Sequence, residues 1–504
     1  MNFIASNSSG KERAVRLVYI AWALAVAFLY DVFFWQKDLG LGFFIFVLAF
    51  IAGTLVLFIA TNHLRQYWAL ALIVPALILS LDIVLFNNLL VKGLAPLVVI
   101  GLVFLMIILL PLRNNDKVAY LLRDIPLINK IHFFKHWPDM YRDIFRWKDV
   151  SIKRDYKKVG IGLVIATPIL LIFLALFSSA DGVFAEALQK AFSFTLPDNA
   201  WIFIWRVLRT AGITLLLGGL FYILIHEEHA PIKGIIRAVM KFDSTIVTVI
   251  LTMVNLLFFI FVVFQLSYLF GAQSYVVQNG LTYAEYARGG FFQLAWVVVL
   301  ASLLLLVPYW SFAEHGLKKV LLVLKLILIV EIFVIAFSAL KRMNLYQDMY
   351  GFTTQRLYVE WFIYMAMAWL VILAVALVMH WKFKVLYYAT VCLGLASFVI
   401  VASINVDRMI ARKNVDRFLI GADLSVEKRI DLYYLINSLS YDAIPEIVRG
   451  IPSISKSMLP AFYSPDMVQE YLKSAHEKLN KKSGWREYNV GRAQARESIE
   501  GILK

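Results

Sequence analysis

The stretch LGFFIFVLAFIAGTLVLFIA, Leu41 to Ala60, decides how this chain is read. It runs for twenty residues without a charged side chain. At 1.5 Å per residue a helix of that length covers about 30 Å, the thickness of the hydrocarbon core of a bilayer. A lone strand would leave its backbone donors and acceptors unpaired in lipid, so a helix is the form such a segment takes. Ten further stretches have the same character: Val15 to Trp35, Tyr67 to Phe86, Leu94 to Leu112, Val159 to Ser179, Ala200 to His226, Thr245 to Phe270, Phe291 to Phe312, Val320 to Leu340, Leu357 to His380, and Leu386 to Ile404. The fold class expected is all-α: a polytopic transmembrane helix bundle of about eleven spans with a small helical extramembrane domain at the carboxyl end.

Composition agrees with that reading and excludes others. Of 504 residues, 61% are hydrophobic and 16% charged, against about 45–50% and 25% in soluble chains. No globular interior of this size hides such an excess. Lysine and arginine number 49 against 34 acids, which in a soluble protein raises the question of nucleic acid. Here the positive charge collects in loops beside spans and in no recognisable nucleic-acid module, so anionic lipid is the expected partner and nucleic acid is not. The one cysteine, Cys392, rules out an intrachain disulfide and a cysteine-based metal cluster, and its apolar run reads as a small buried position. The apolar run after Lys11, Arg13 and Arg16 is too long for a secretory signal core and reads as an uncleaved first span.

Loop charge sets the orientation. With the amino terminus inside, inner loops hold 23 lysines and arginines and outer loops 7, leaving aside the carboxyl-terminal tail. The positive-inside rule then places the amino terminus in the cytoplasm and the carboxyl terminus outside the plasma (inner) membrane. The expected layout is spans 1–4 in residues 1–112, a basic cytoplasmic loop in 113–158, spans 5–11 in 159–404, and an extracytoplasmic helical domain in 405–504. The 113–158 loop carries twelve basic side chains among Leu121, Leu122, Ile125, Phe133, Phe134, Trp137, Tyr141 and Trp147. That mixture suits either a helix pair lying at anionic headgroups or a cap packed on the bundle. In the tail, helices are expected over Val426 to Arg449, Ser464 to Lys482 and Trp485 to Leu503, with Ser464 as cap and Pro465 in the first turn. An envelope protein is the expected partner of this tail.

Polar groups inside spans are costly, which makes each a site candidate. Arg206 and Arg209 lie three apart on one helical face, and Asp31, Asp82, Glu331 and Glu360 are the acids at comparable depths. Two readings stand: a polar cavity open to the outside, where guanidinium groups hold an anion and carboxylates take a proton or cation, and a set of ion pairs that locks the bundle. Glu331 lies deepest. Two outer loops combine tyrosine, an acid, arginine and glycine: Tyr283, Glu285, Tyr286 and Arg288 in one, Tyr350 and Arg356 in the other. They suit a polar headgroup or sugar, and equally an interfacial belt. His226-Glu227-Glu228-His229 lacks the spacing of a zinc-protease helix, Gly40-Leu41-Gly42 lacks the third glycine of a dinucleotide loop, and no phosphate-cradling lysine loop occurs. No cofactor or metal is expected, and the sequence names no catalytic residue.

Thr282-Tyr283-Ala284-Glu285-Tyr286-Ala287-Arg288, Tyr350-Gly351-Phe352-Thr353, Ile410-Ala411-Arg412-Lys413-Asn414, Asp431-Leu432-Tyr433-Tyr434-Leu435, Ser440-Tyr441-Asp442-Ala443-Ile444-Pro445 and Trp485-Arg486-Glu487-Tyr488-Asn489 with Arg492 and Arg496 together resemble a bacterial polytopic membrane family known only as a domain of unknown function, of the DUF4153 or DUF4173 type. The resemblance departs at Lys413, where its pattern has an aromatic, and at Phe352, where it has leucine. It implies a bacterial membrane protein and no established reaction. Three classes of function remain: a transporter-like protein with an outward-facing polar cavity, a membrane enzyme acting on a lipid-linked envelope substrate, and a sensor or assembly scaffold using the carboxyl-terminal domain.

Overall fold

The structure is a computed structural model that describes residues 2–111, 198–226, 244–278, 297–305, 318–420, 431–450, 465–481 and 484–503. These residues form helices and turns without a strand. In chain order they are α1 Asn2–Phe34, α2 Leu41–Ala60, a 3-10 turn Tyr67–Leu72 running into α3 Ile73–Leu85, α4 Leu89–Gly93, α5 Ala95–Leu109, α6 Asp198–His226, α7 Ser244–Gln278, α8 Lys318–Tyr350, α9 Thr354–Val378, α10 Phe383–Ala402, α11 Val406–Ile420, α12 Leu432–Asn437, a 3-10 turn Tyr441–Ala443, α13 Ile444–Gly450, α14 Pro465–Asn480, a 3-10 turn Trp485–Glu487 and α15 Val490–Leu503. Residues 297–305 are helical as well.

Among the described residues nine segments are long and apolar enough to cross a membrane: Leu17–Phe34, Leu41–Ala60, Tyr67–Leu85, Leu89–Leu109, Trp201–Phe221, Thr245–Phe264, Lys319–Asp348, Thr354–Val378 and Phe383–Ala402. Each falls on an expected span. The expected span at 159–179 lies outside the described residues, as does the 113–158 loop, and only 297–305 of the one at 291–312 is described. Large apolar side chains such as Phe28, Val56, Leu257 and Val330 stay uncovered by protein along these helices, as suits a surface solvated by hydrocarbon. Cys392 belongs with them: it is exposed on α10, not buried as its apolar neighbours suggested, because an apolar run in lipid need not face protein.

The chain divides into two compact units. One comprises Met1–Trp35, Ala52–Leu64 and Pro126–Ala230. Here α1 packs along α6, with Tyr19, Phe58 and Phe221 meeting ring to ring. Buried hydroxyls find partners: Tyr19 Oη lies 2.6 Å from Thr61 Oγ1, and Trp22 Nε1 donates to Thr54 Oγ1 at 3.1 Å. Gly53 is required beside that indole, which fills the space a Cβ would take.

The other unit comprises Gln36–Ile51, Arg65–Ile125 and Pro231–Lys504. Within it α3 packs on α5 and α10, α7 on α8, α8 on α9, and α9 on α10. Leu328, Ile332, Ile335, Leu370 and Leu373 make the fully buried seam of α8 and α9. A second cluster gathers α11 to α15 around Ile410, Val415, Leu435, Ile444 and Ile499, and it takes in Leu90, Phe352, Leu357, Tyr358 and Trp361 from the ends of spans. The carboxyl-terminal helices therefore share one apolar core with the span ends in this unit.

Local chemistry explains the short elements. Asn88 Oδ1 accepts the Val91 N–H to start α4, Thr353 Oγ1 accepts the Arg356 N–H to start α9, and Asn489 Oδ1 accepts the Arg492 N–H to start α15. The single helix expected over Val426 to Arg449 is corrected. Residues 431–450 break into two short helices and a 3-10 turn, because Asp431 caps α12, Ser440 caps the turn after it, and Pro445 fits only the first turn of a new helix. α14 follows the expected bounds, although Ser464 lies outside the described residues. α15 begins at Val490, not Trp485, since the Asn489 cap fixes its start. α11, with Asp407 in its first turn and Arg417 in its last, was not anticipated.

Candidate functional site

In the first unit the two arginines of α6 converge on one acid of α1. Asp31 is 5% exposed. Arg206 Nε donates to its Oδ2 at 2.9 Å, and Arg209 Nη2 donates to Oδ1. Arg209 also lies 4.3 Å from the Trp35 ring and 5.7 Å from that of Tyr30, while Arg206 lies 5.9 Å from Trp35. The three-residue spacing puts both guanidinium groups on the α1 side, and the aromatic rings at the end of α1 screen them. Asp31 thus occupies the position that the anion-binding reading gave to a substrate. Among the described residues, two cations against one acid leave one positive charge in this cluster.

In the second unit the remaining candidates fall at separate places. Asp82, 3% exposed in the last turn of α3, accepts a hydrogen bond from Ser403 Oγ at 2.8 Å. Glu360 accepts from Gln347 Nε2 at 3.0 Å and from Tyr364 Oη at 3.4 Å, tying α8 to α9. Arg356 stacks 4.0 Å over Tyr346, donates to the Tyr350 and Gly351 carbonyls, and so closes the turn between α8 and α9. Gly351 has a φ of +82°, and an added Cβ would stand 2.6 Å from Asn414 Oδ1. Asn414 reads the next residue in both directions, accepting the Phe352 N–H at 2.9 Å and donating to its carbonyl at 2.8 Å. The two departures from the family resemblance touch each other, with Lys413 Nζ 4.5 Å from the Phe352 ring.

Glu331 stands apart from these. It is 6% exposed midway along α8, inside the apolar seam, and its Oε2 has no hydrogen-bond partner among the described residues. Lys325 on the same helix and Asn255 on α7 are also buried, and Asn255 Nδ2 donates to the Leu251 carbonyl at 2.6 Å. Tyr283, Glu285, Tyr286, Arg288 and the His226 to His229 segment cannot be placed, because their side chains lie outside the described residues.

Sequence reasoning missed the polar seam where the carboxyl-terminal helices meet the ends of α2, α3 and α4. Asn489 Nδ2 donates to the Ile83 and Phe86 carbonyls at 3.0 and 2.9 Å, capping the end of α3 from 403 residues away. The carbonyls at a helix end have no partner in their own helix, and in a span they need one from elsewhere. Lys92 Nζ donates to the Ile83 carbonyl at 2.9 Å and to the Leu39 carbonyl. The Leu41 N–H donates to the Tyr488 carbonyl at 3.0 Å, and Asp38 pairs with Arg492 at 3.0 Å. Asp442 Oδ2 accepts the Asn87 N–H at 2.6 Å. Burial pushes the Asp442 carboxyl up to about 6, with the Asn87 N–H working against it. Burial likewise raises Asp407, whose Oδ2 accepts the Ser440 N–H at 2.9 Å. A groove of about 230 Å³ lies beside the seam, lined by Asn87, Ser440, Tyr441, Tyr471, Ser474 and Lys478 among others. One signal was available: Lys92 interrupts an apolar run that starts at Leu89, yet it reads as an ordinary loop lysine.

A family model described as a domain of unknown function, DUF4153, matches residues 18–450. No curated protein and no solved structure matches the chain.

Proposed function

The chain belongs to the DUF4153 family, a domain of unknown function, and on that premise we propose that this integral membrane protein is a carrier linked to a proton or small cation, with Glu331 as its working carboxylate. The observation that carries the reading is the placement of Glu331: buried in a span, in an apolar seam, with a carboxyl oxygen that no described group serves. A charged side chain at the centre of a span costs roughly 2.5–3.5 kcal/mol on insertion scales. A proton or a bound cation relieves that cost, and exchange of either is the elementary step of coupled transport. In this reading Asp31, Arg206 and Arg209 lock α1 to α6, and Asp82 and Glu360 fasten helices in the second unit. The test is a hydrophobic carbodiimide, which reacts with protonated carboxyl groups in lipid, followed by mass mapping. Glu331 is expected to take the label, less so as pH rises, and Glu331→Gln is expected to accumulate normally while losing the phenotype of the intact gene. Full phenotype in Glu331→Leu at normal protein level would overturn the assignment.

The supporting topology has the amino terminus in the cytoplasm and the carboxyl-terminal helices outside a bacterial plasma membrane. Residues 38, 87 and 352 come from three loops that the charge count puts outside, and each is bonded to the carboxyl-terminal helices. A reporter fused after Lys504 that is active only in the cytosol would reverse this orientation. The polar seam also favours a second reading, a sensor or scaffold in which an envelope partner bears on the carboxyl-terminal helices. Loss of phenotype on deletion after Asn405, with Glu331→Leu fully active, would select it.

A further inference from the structure

Asp442 is poorly served for an anion. It is 2% exposed, its Oδ2 accepts a single N–H, and its Oδ1 has no hydrogen-bond donor among the described residues. The backbone of Gly491 closes over Oδ1 so tightly that a Cβ there would overlap it. A buried carboxylate stays charged when two or three donors surround it; beside the Asn87 N–H this one has, among the described residues, the weaker contribution of the Ser440 side chain, and burial outweighs both. Its charged neighbours come from every element packed around it. Lys92 of α4 favours the anion but spends Nζ bonds on the Leu39 and Ile83 carbonyls, and it feels Asp38 and Arg492 as well. Asp407 of α11 opposes the anion, since it is itself a buried acid. Glu446 of α13 is held by Arg408 and Arg449, and Arg492 of α15 is engaged by Asp38.

We propose that Asp442 is a proton-operated latch: protonated, it fastens the carboxyl-terminal helices to the chain between α3 and α4, and ionised, it loosens them. The position of the group makes it a latch. Its Oδ2 holds the Asn87 N–H just beyond the end of α3, its own N–H donates to Ser440 Oγ at 3.4 Å, and its turn packs against α11 and α15. Ionisation therefore places a buried charge, only partly offset by the Asn87 N–H and Lys92, at the contact between the tail and the span ends. The carboxyl titrates at about 6 in the closed seam against 3.8 ordinarily, so the closed form binds the proton more tightly. Closure is then fully favoured below the ordinary value and loses that advantage as pH rises through about 6, by about a hundredfold for two pK units. The latch stands independently of any role for Glu331.

Hydrogen exchange of the full-length protein in lipid nanodiscs tests it, read on peptides covering residues 84–92 and 484–492 at about pH 5 and about pH 8, corrected for intrinsic exchange. Protection in the wild type is expected to fall by about tenfold between the two, since the lower pH is about one unit below the closed-form value of the carboxyl and at the higher pH the group is fully ionised. Asp442→Asn, a neutral carboxamide of the same shape, is expected to stay protected at both, while Asp407→Asn keeps a pH dependence. A flat wild-type profile overturns the proposal, and this readout serves even if a variant fails to accumulate. Wild-type pH dependence persisting in Asp442→Asn overturns it equally.

Discussion

Replacing Asn489 by alanine removes three contacts at once, and the structure prices each separately. Its Nδ2 serves two carbonyls at the end of α3, Ile83 at 3.0 Å and Phe86 at 2.9 Å, while its Oδ1 caps α15 through the Arg492 N–H at 3.0 Å. Ile83 keeps Lys92 as a donor at 2.9 Å, so the loss there is one ordinary hydrogen bond, about 1 kcal/mol. Phe86 loses its side-chain donor in a partly buried setting, about 1–3 kcal/mol. Loss of the cap adds about 1 kcal/mol. The sum is roughly 3–5 kcal/mol, and its lower end raises the undocked population of the tail about a hundredfold. Trypsin cleavage of the tail in native membranes reads this, under conditions where cutting tracks the open population. Asn489→Ser keeps an oxygen for the cap and is expected to fall between alanine and wild type. Glu477→Ala, at an exposed position of α14, is the control. Cutting of Asn489→Ala within about threefold of that control, the range of ordinary surface substitutions, would refute the docking role of Asn489.

Asp31→Asn leaves Arg206 and Arg209 without their shared carboxylate, so its level in the membrane fraction by immunoblot is expected to drop several-fold. Adding Arg206→Gln and Arg209→Gln should restore much of it, and a single variant as abundant as wild type would refute the lock. Gly351→Ala forces a side chain into a left-handed backbone and against Asn414 Oδ1. A loss of about 2–3 kcal/mol is expected from strain and from the Phe352 bonds that Asn414 must give up. An unchanged melting temperature of the purified protein would count against it.

The spans were legible because lipid is a demanding solvent: Leu41 to Ala60 has one way to satisfy its backbone, and composition alone announces it. Asp31 was readable as a partner for Arg206 and Arg209 for the same reason, since charges of opposite sign at one depth in a span have few alternatives. That both arginines would fall on the one acid, leaving Asp82 and Glu360 to uncharged partners, needed the packing of α1 on α6. The seam was opaque for a different reason. Asn489, Asp442 and Lys92 sit in short polar stretches that look like solvated loops, and their partners are mostly backbone atoms, which carry no sequence signal. Ser438, Ser440 and Pro445 mark the break of the helix at residues 438–440 within the stretch Val426 to Arg449 that reads as one helical segment. Turn chemistry won because side-chain caps compete locally with the helix ladder.

The cap that Asn489 places on Phe86 also sets a clock on biogenesis. A ribosome adding about 5–20 residues per second needs roughly 20–80 s to cover the interval between them, which is 403 positions. Throughout that time the third span is in the bilayer with the Phe86 carbonyl at its end awaiting a partner still to be translated, while Lys92 already serves Ile83. A truncated or stalled product would keep that end open indefinitely, which gives quality-control proteases a physical mark separating unfinished copies from complete ones.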